Sequence, residues 1–459
     1  MNPPVSTAAR ACVHFRSLGC PKNRVDTEVM LGSLALSGYA LAEKLDDADV
    51  VVINTCSFIE SARQESIDAI LEVAELRETG RLRALIVAGC LPQRYGGELA
   101  KELPEVDAFV GTGEFPRIAE ILGAALDGRR GGVYVEAGRT YLHGEQDARL
   151  LVGPTHTAYL KISEGCDRIC AFCAIPGIRG KFQSRTLESV VAEARQLAAG
   201  GVRELNLVAQ DSTSWGKDLA GTGEGRPKLD GLLRALDEID GLDWIRLLYV
   251  YPSAVTDALI AALGSGKRVL PYVDIPLQHA SDRMLRAMQR GTTADRQRRL
   301  VERLRTEIPG VTVRTTFIVG FPGETDADFE ALCEFVREMR FDRAGVFRYS
   351  DEEGTAAKAL PGKVPVRVAR ARQRRILDLL RELQAEQLAT LVGSEVEVLV
   401  DAGGRDRAVG RMRSQAPDID GNVLLRGAAE TGEMLRARIT AVRGPDLDAT
   451  RQLGAGPEL

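Results

Sequence analysis

Residues Gly165–Cys173 read GCDRICAFC and set Cys166, Cys170 and Cys173 in the spacing C-x3-C-x2-C. The triplet comes directly after TAYLKIS, a short apolar run of strand type, and that run is the first of six. RELNLVAQ, WIRLLYVYP, YVDIPLQ, VTVRTTFIVG and AGVFRYS follow between residues 157 and 392, with helical patterns between them. TLESVVAEARQLAAGG is such a pattern: its apolar residues recur at three and four, and its closing glycines suit a C-cap. Six consecutive βα units favour a parallel, barrel-like sheet whose chemistry sits at the C-terminal ends of the strands. The cysteine triplet is at the end of the first strand.

Before this array, about 150 residues repeat the same unit on a shorter scale. The runs are CVHFRSL, DVVVINT, ALIVAG and VDAFVGT, and the first three lead into Cys20, Cys56 and Cys90. Loops after the strands of an open parallel sheet gather along one edge, so these three cysteines should converge although 35 and 33 residues separate them. Each alone is equally readable as a small buried residue at a strand end. After the array comes a charged helical segment, from Val366 to about Leu391, and then a Gly- and Val-rich tail with the runs EVEVLVD, RAVGRMR, NVLL and MLRARITAV. That tail reads as a small barrel. The expected fold class is α/β, with an open parallel α/β domain over 10–125, a central partial (βα)6 barrel over 152–390 and a small antiparallel β-barrel over 392–459.

Composition agrees with several ordinary domains. The chain has 459 residues, enough for three domains at roughly 150 each. No apolar run approaches the ~20 residues of a bilayer span, and the N-terminus lacks the basic start and apolar stretch of an export signal. The expected location is the cytoplasm, where thiols stay reduced, so the eight cysteines are read as metal ligands, catalysts or core residues and not as disulfides. A formal net charge of -5 gives no general support for a polyanion partner.

Structural zinc takes four protein ligands in paired short spacings, and no Cys or His near the triplet supplies a fourth. A cuboidal iron-sulfur cluster also normally takes four thiolates, so three leave one iron open. C-x3-C-x2-C with Phe172 before its last cysteine resembles the signature of the radical S-adenosylmethionine superfamily. The resemblance implies a 4Fe-4S cluster on Cys166, Cys170 and Cys173 whose open iron binds the amino and carboxylate groups of S-adenosylmethionine, and whose electron cleaves it to a 5′-deoxyadenosyl radical. In TTFIVGFPGET, Ile318, Gly320 and Glu324 match the superfamily's segment near the adenosine, although Thr316 stands where its first glycine would be. Together with Phe172 they are the expected cofactor-binding residues.

Cys20, Cys56 and Cys90, then the triplet, then a small barrel, resemble the methylthiotransferases along nearly the whole chain. That resemblance implies a second, auxiliary 4Fe-4S cluster on the N-terminal three, a TRAM-like terminal barrel for substrate recognition, and a low-potential electron donor such as flavodoxin or ferredoxin. One branch of that family modifies a tRNA adenosine, another the β-carbon of an aspartate in small-subunit ribosomal protein S-12. SLGCPKNRVDTE, CAIPGIRGKFQSR, LVAQDSTSWGKDL, YVYP and YSDEEGT resemble the second branch, and Lys181-Phe182-Gln183 stand where the tRNA branch usually has an acidic residue. Trp215 in place of a common Tyr and Asp351 in place of a common Pro are read as surface-loop changes. The expected partner is thus a ribosomal protein, with tRNA and membranes set aside. The tail agrees, since residues 392–459 hold nine Arg and no Lys against eleven acidic residues, a formal charge of -2. Arg405, Arg407, Arg411 and Arg413 could still form a local basic stripe.

No catalytic acid or base is assigned, because a saturated C–H bond calls for a radical and not for a general base. Cys12 and Cys333 are read as core, the latter on a helical face with Phe329, Leu332 and Val336. Of the four histidines, His279 in DIPLQHAS is the best placed for a site at the strand ends. The competing expectations are a tRNA-modifying enzyme with the same cofactors and a non-catalytic iron-sulfur protein.

Overall fold

The computed structural model describes residues 10–452 apart from 79, 137, 139, 140 and 222–224, so residues 453–459 of the expected third domain lie outside the described residues. The first domain is a parallel sheet in the order β2-β1-β3-β4-β5-β6. Its strands are β1 (Cys12–Ser17), β2 (Ala40–Leu41), β3 (Val50–Thr55), β4 (Ala84–Gly89), β5 (Ala108–Val110) and β6 (Gly132–Tyr134). The edge strands β2 and β6 are too short to carry a periodic signal, and the sequence reading does not include them. Every residue of β3 and β4 is buried, as a strand covered on both faces requires. Val50 and Val52 pack with Met30, Leu34 and Ile118 on one face, and Val51 and Ile53 with Ile70, Val73 and Leu99 on the other. These partners come from α1 (Pro21–Leu36), α2 (Glu60–Ala74), α3 (Cys90–Glu102) and α4 (Ile118–Leu126).

The central domain holds the six expected strands, β7 (Thr157–Lys161), β10 (Glu204–Val208), β11 (Trp244–Leu247), β12 (Val269–Asp274), β13 (Thr312–Val319) and β14 (Arg343–Arg348). They pair in parallel in simple sequence order without closing, which is a partial barrel. A two-residue ribbon of β8 (Ser163–Glu164) and β9 (Gln183–Ser184) brackets the triplet and the short α5 (Ile175–Arg179). Helices α6 (Leu187–Ala199), α7 (Leu229–Asp237), α8 (Asp257–Ser265), α9 (Asp282–Ala287), α10 (Ala294–Glu307) and α11 (Asp326–Met339) belong to the crossovers; the apolar faces of all but α9 share one core with the strands, while Met284 of α9 packs with Ile318 and Phe321. Residue 201, after α6, has a positive φ, so the double glycine ends that helix as its sequence suggests.

The long α12 (Val366–Ala389) leads into a closed barrel of β15 (Glu395–Ala402), β16 (Arg407–Met412), β17 (Val423–Arg426), β18 (Met434–Arg443) and β19 (Asp446–Arg451). The expectation of a wholly antiparallel barrel is corrected at one seam, because β17 and β19 pair in parallel. Parity is the reason: a ring with an odd number of strands cannot alternate direction all the way round. This barrel docks on the starts of the central strands. Arg411 Nη2 donates to Glu204 Oε2 at 2.7 Å, and the Tyr272 hydroxyl meets Asp420 Oδ2 at 2.5 Å.

Two smaller expectations also change. Cys12 is half-buried at the opening of β1, its amide held by Asp49 Oδ2 at 2.8 Å, and so is not a core residue. Trp215 is not in a surface loop: it is 3 % exposed and joins the central core, because the turn over 212–214 folds the ring inward.

Candidate functional site

The N-terminal cysteines converge at the ends of β1, β3 and β4, as the topology demands. Cys20 caps α1, Cys90 opens α3, and Cys56 sits in the loop after β3. Their neighbours make the approach possible. At Gly19 (φ +90°) an added Cβ would fall 2.7 Å from Cys56 Cβ, and at Gly89 (φ +101°) 2.3 Å from Asn54 Oδ1, so only glycine lets these loops meet. Asn23, one turn into α1, ties the loops together by donating Nδ2 to the Leu18 carbonyl at 3.1 Å and the Thr55 carbonyl at 2.9 Å. Its Oδ1 faces both Cys20 Sγ at 3.9 Å and Cys90 Sγ at 3.8 Å.

The second set lies on the loop between β8 and α5. The Arg168 amide donates to Cys166 Sγ at 3.4 Å, the Cys173 amide to the Cys170 carbonyl at 3.0 Å, and Arg290 Nη1 to Cys170 Sγ at 3.3 Å. Tyr251, beyond the end of β11, is flanked by two guanidinium groups, Arg168 at 3.9 Å and Arg290 at 4.3 Å from its ring centre. Phe172 and Ile318 come together in one apolar cluster with Met288 and Phe321. Gly320 and Glu324 serve the fold of the turn. The space beside Gly320 (φ +76°) is taken by Ala369 of α12, 2.6 Å from where a Cβ would sit. Glu324 Oε2 accepts from the Gly320 and Phe321 amides, while Oε1 accepts from Arg372 at 3.0 Å. His279 is fully buried in the loop after β12, where Nδ1 accepts from the amides of Ala280 at 2.9 Å and Ser281 at 3.0 Å. Burial pushes its pKa down to about 4, so the ring is neutral.

The two cysteine sets share a wall. Cys90 packs in one buried cluster with Ala174 and Ile178, the residues that follow Cys173 into α5. Arg179, at the end of α5, donates Nη2 to Cys90 Sγ at 3.3 Å and to Asn23 Oδ1 at 2.5 Å, and Nη1 to Asp26 Oδ2 at 2.7 Å. Lys161 Nζ reaches the same Asp26 and also Glu164, the latter at 2.7 Å. Burial alone would push the Asp26 carboxyl up, but Lys161 and Arg179 hold it below the usual range. These charges lie between the first two domains and fix α1 against the concave face of the partial barrel, where Val25 packs with Tyr159, Val208 and Leu248.

Burial also acts on the thiols. It pushes Cys56 and Cys173 up to about 12 and raises Cys90 and Cys166, in the case of Cys90 against the pull of Arg179. Such thiols stay protonated until an electropositive metal displaces the proton. Among the described residues, no three Cys, His, Asp or Glu side chains close in as ligands of a single metal ion. The donor set of three thiols at each place is the one a cuboidal cluster with one iron left open would need. Asn23, Arg179, Arg290 and Tyr251 escape the sequence reading because their roles depend on contacts between distant segments; only Asn23, three residues after Cys20, carries a local hint.

Comparison with known proteins agrees with this architecture. Three family models match in succession: Uncharacterized protein family UPF0004 over residues 12–111, the Radical SAM superfamily over 160–336 and the TRAM domain over 392–451. Among solved structures, a radical S-adenosylmethionine methyltransferase, TsrM, from Kitasatospora setae with cobalamin and a 4Fe-4S cluster bound has a TM-score of 0.54 at 16% identity, covering 74% of this chain and 75% of that one. At that identity the likeness is one of fold. Curated relatives are much nearer. The ribosomal protein uS12 methylthiotransferase RimO of Myxococcus xanthus is 48% identical over 97% of this chain and 92% of its own length. The protein of the same name from Geobacter sulfurreducens is 49% identical over 96% of this chain and 98% of its own. With identity of that order along nearly its whole length, the chain belongs to the ribosomal protein uS12 methylthiotransferase family of radical S-adenosylmethionine enzymes.

Proposed function

We propose that this chain adds a methylthio group to the β-carbon of an aspartate in ribosomal protein uS12, working in the cytoplasm with electrons from a low-potential donor such as flavodoxin or ferredoxin. Cys166, Cys170 and Cys173 hold one 4Fe-4S cluster together with S-adenosylmethionine, and Cys20, Cys56 and Cys90 hold a second. When bound, these groups supply the electron, the 5′-deoxyadenosyl radical, the sulfur and the methyl group. The chain supplies position and a dry environment. Phe172 and Ile318 offer an apolar wall to the adenosine, and Gly320 and Glu324 keep the turn beside it in shape. Arg290 and Arg179 place one positive charge beside each set of thiolates, which favours the ionised ligands.

The observation that carries this reading is the shared wall at Ala174 and Ile178. A carbon radical made at one set must reach sulfur presented at the other before it is quenched, and only adjacent sites allow that. The terminal barrel favours a protein partner. Arg411 of the suspected basic stripe is buried and paired with Glu204 and Asp401, which leaves Arg405, Arg407 and Arg413 exposed on a barrel of net acidic charge. RNA binding needs a positive surface that displaces counterions. The test is to incubate the anaerobically reconstituted enzyme with uS12 and, separately, with tRNA, and to follow the methylthio mass increment. It is expected on uS12 alone; its appearance on tRNA with uS12 untouched would overturn the reading in favour of a tRNA-modifying enzyme.

A further inference from the structure

Lys22 stands two residues after Cys20, in the first turn of α1, and is only 8 % exposed. Other buried cations where the first two domains meet have carboxylate partners: Lys161 has Asp26 and Glu164, Arg179 has Asp26, and Arg149 has Glu28 and Glu193. Among the described residues Lys22 forms no ion pair. Its ammonium rests 3.5 Å above the centre of the Tyr249 ring. Tyr249 follows β11, at the C-terminal edge of the partial barrel, in a left-handed conformation (φ +62°) that few residues with a Cβ adopt. Its amide donates to Asp274 Oδ2 at 3.1 Å, and its carbonyl accepts from the Ser212 amide at 3.0 Å, so the backbone strain is held from both sides. Strained backbone of this kind is maintained at sites that position a ligand.

A buried ammonium without a counter-ion is costly, and an aromatic face offsets only part of that cost. The polar groups beside it are the Tyr249 hydroxyl and the Cys20 thiol, neither of them a carboxylate, so a substrate anion would find a cation to pair with. The uS12 aspartate brings such an anion, since its side-chain carboxylate is bonded to the very carbon that loses hydrogen. We propose that Lys22, seated on Tyr249, is the anchor for the substrate carboxylate, and so helps select an ionised aspartate and orients its β-carbon between the two cysteine sets. This rests on the uS12 reading. The plainer alternative is that Lys22 only balances the charge of the thiolates beside it, which would leave the enzyme indifferent to the substrate's charge.

The test compares binding of uS12 with that of a uS12 variant whose target aspartate is replaced by Asn, using reconstituted holoenzyme. The wild-type enzyme is expected to bind the aspartate form about ten-fold more tightly, the scale of one desolvated ion pair. Lys22→Gln should erase that preference by weakening the aspartate form alone, and Lys22→Arg should keep it. Iron content equal to wild type shows that the variants have folded. Equal wild-type affinity for the two forms, or a preference that survives Lys22→Gln, would overturn the anchor. A wild-type enzyme that methylthiolates tRNA and does not bind uS12 would instead overturn the reading beneath it.

Discussion

Arg179 illustrates how much one side chain carries here. It touches Cys90, Asn23, Asp26 and Glu164 while 3 % exposed, so it joins the N-terminal cysteines to the central domain. Removing one member of such a network leaves a buried carboxylate without full compensation, which costs about 3–5 kcal/mol. Arg179→Met is therefore expected to lower the urea midpoint of the apo chain clearly, and to impair iron retention at the N-terminal set more than at Cys166, Cys170 and Cys173. His279 makes a separate prediction. Its folded pKa lies near 4, below the 6.5 of a free histidine, so the unfolded chain takes up the proton first as pH falls. The stability tied to neutral His279 is complete above pH 6.5 and declines down to pH 4, by about 3 kcal/mol in all. Comparing urea midpoints of wild type and His279→Asn at pH 7 and pH 5 checks this, since the variant should lose less stability on acidification.

Helices and strands show why some contacts were legible beforehand and others not. The strands that precede the cysteines announce themselves as short runs, mostly apolar in β3 and β4 and mixed in β1, and parallel topology then dictates that Cys20, Cys56 and Cys90 meet. β2 and β6 are too brief to produce any pattern, and the parallel β17–β19 seam follows from a strand count that the last run, DLDATR, did not suggest. α1 is the instructive case. Lys22, Asn23 and Asp26 read as ordinary polar helix positions, yet all are buried, because α1 is enclosed by its own sheet and by the partial barrel. At Gly320, α12 fills the space a Cβ would need, a long-range contact that the local sequence does not reveal. Gly320→Ala should therefore destabilise through both its positive φ and the clash with Ala369, by about 2–4 kcal/mol in total. Ala369→Gly in the same chain should restore only the part due to the clash, as a double-mutant cycle in urea would show.

At the scale of the molecule, two domains flank one partial barrel. The first presses α1 and its cysteines against the concave face near the strand ends, and the terminal barrel closes the strand starts through Arg411, Tyr272 and Asp420. This arrangement separates the tasks: chemistry at one edge, and a mostly acidic module at the other. The six cysteines and the order of strands carried the family resemblance that implies the class of chemistry, since spacing and topology are local or nearly so. The charge network that holds the two sets side by side was not legible, because each member comes from a different segment. The central claim is that these six cysteines form two independent sets, one for S-adenosylmethionine cleavage and one for sulfur. Iron analysis of the anaerobically purified triple variant Cys20→Ala, Cys56→Ala, Cys90→Ala, with 5′-deoxyadenosine and modified uS12 measured on the same sample, tests it most directly. Wild type should carry about eight irons and the variant about four, with 5′-deoxyadenosine still formed and uS12 unmodified; a variant that kept all its iron, or still methylthiolated uS12, would contradict it.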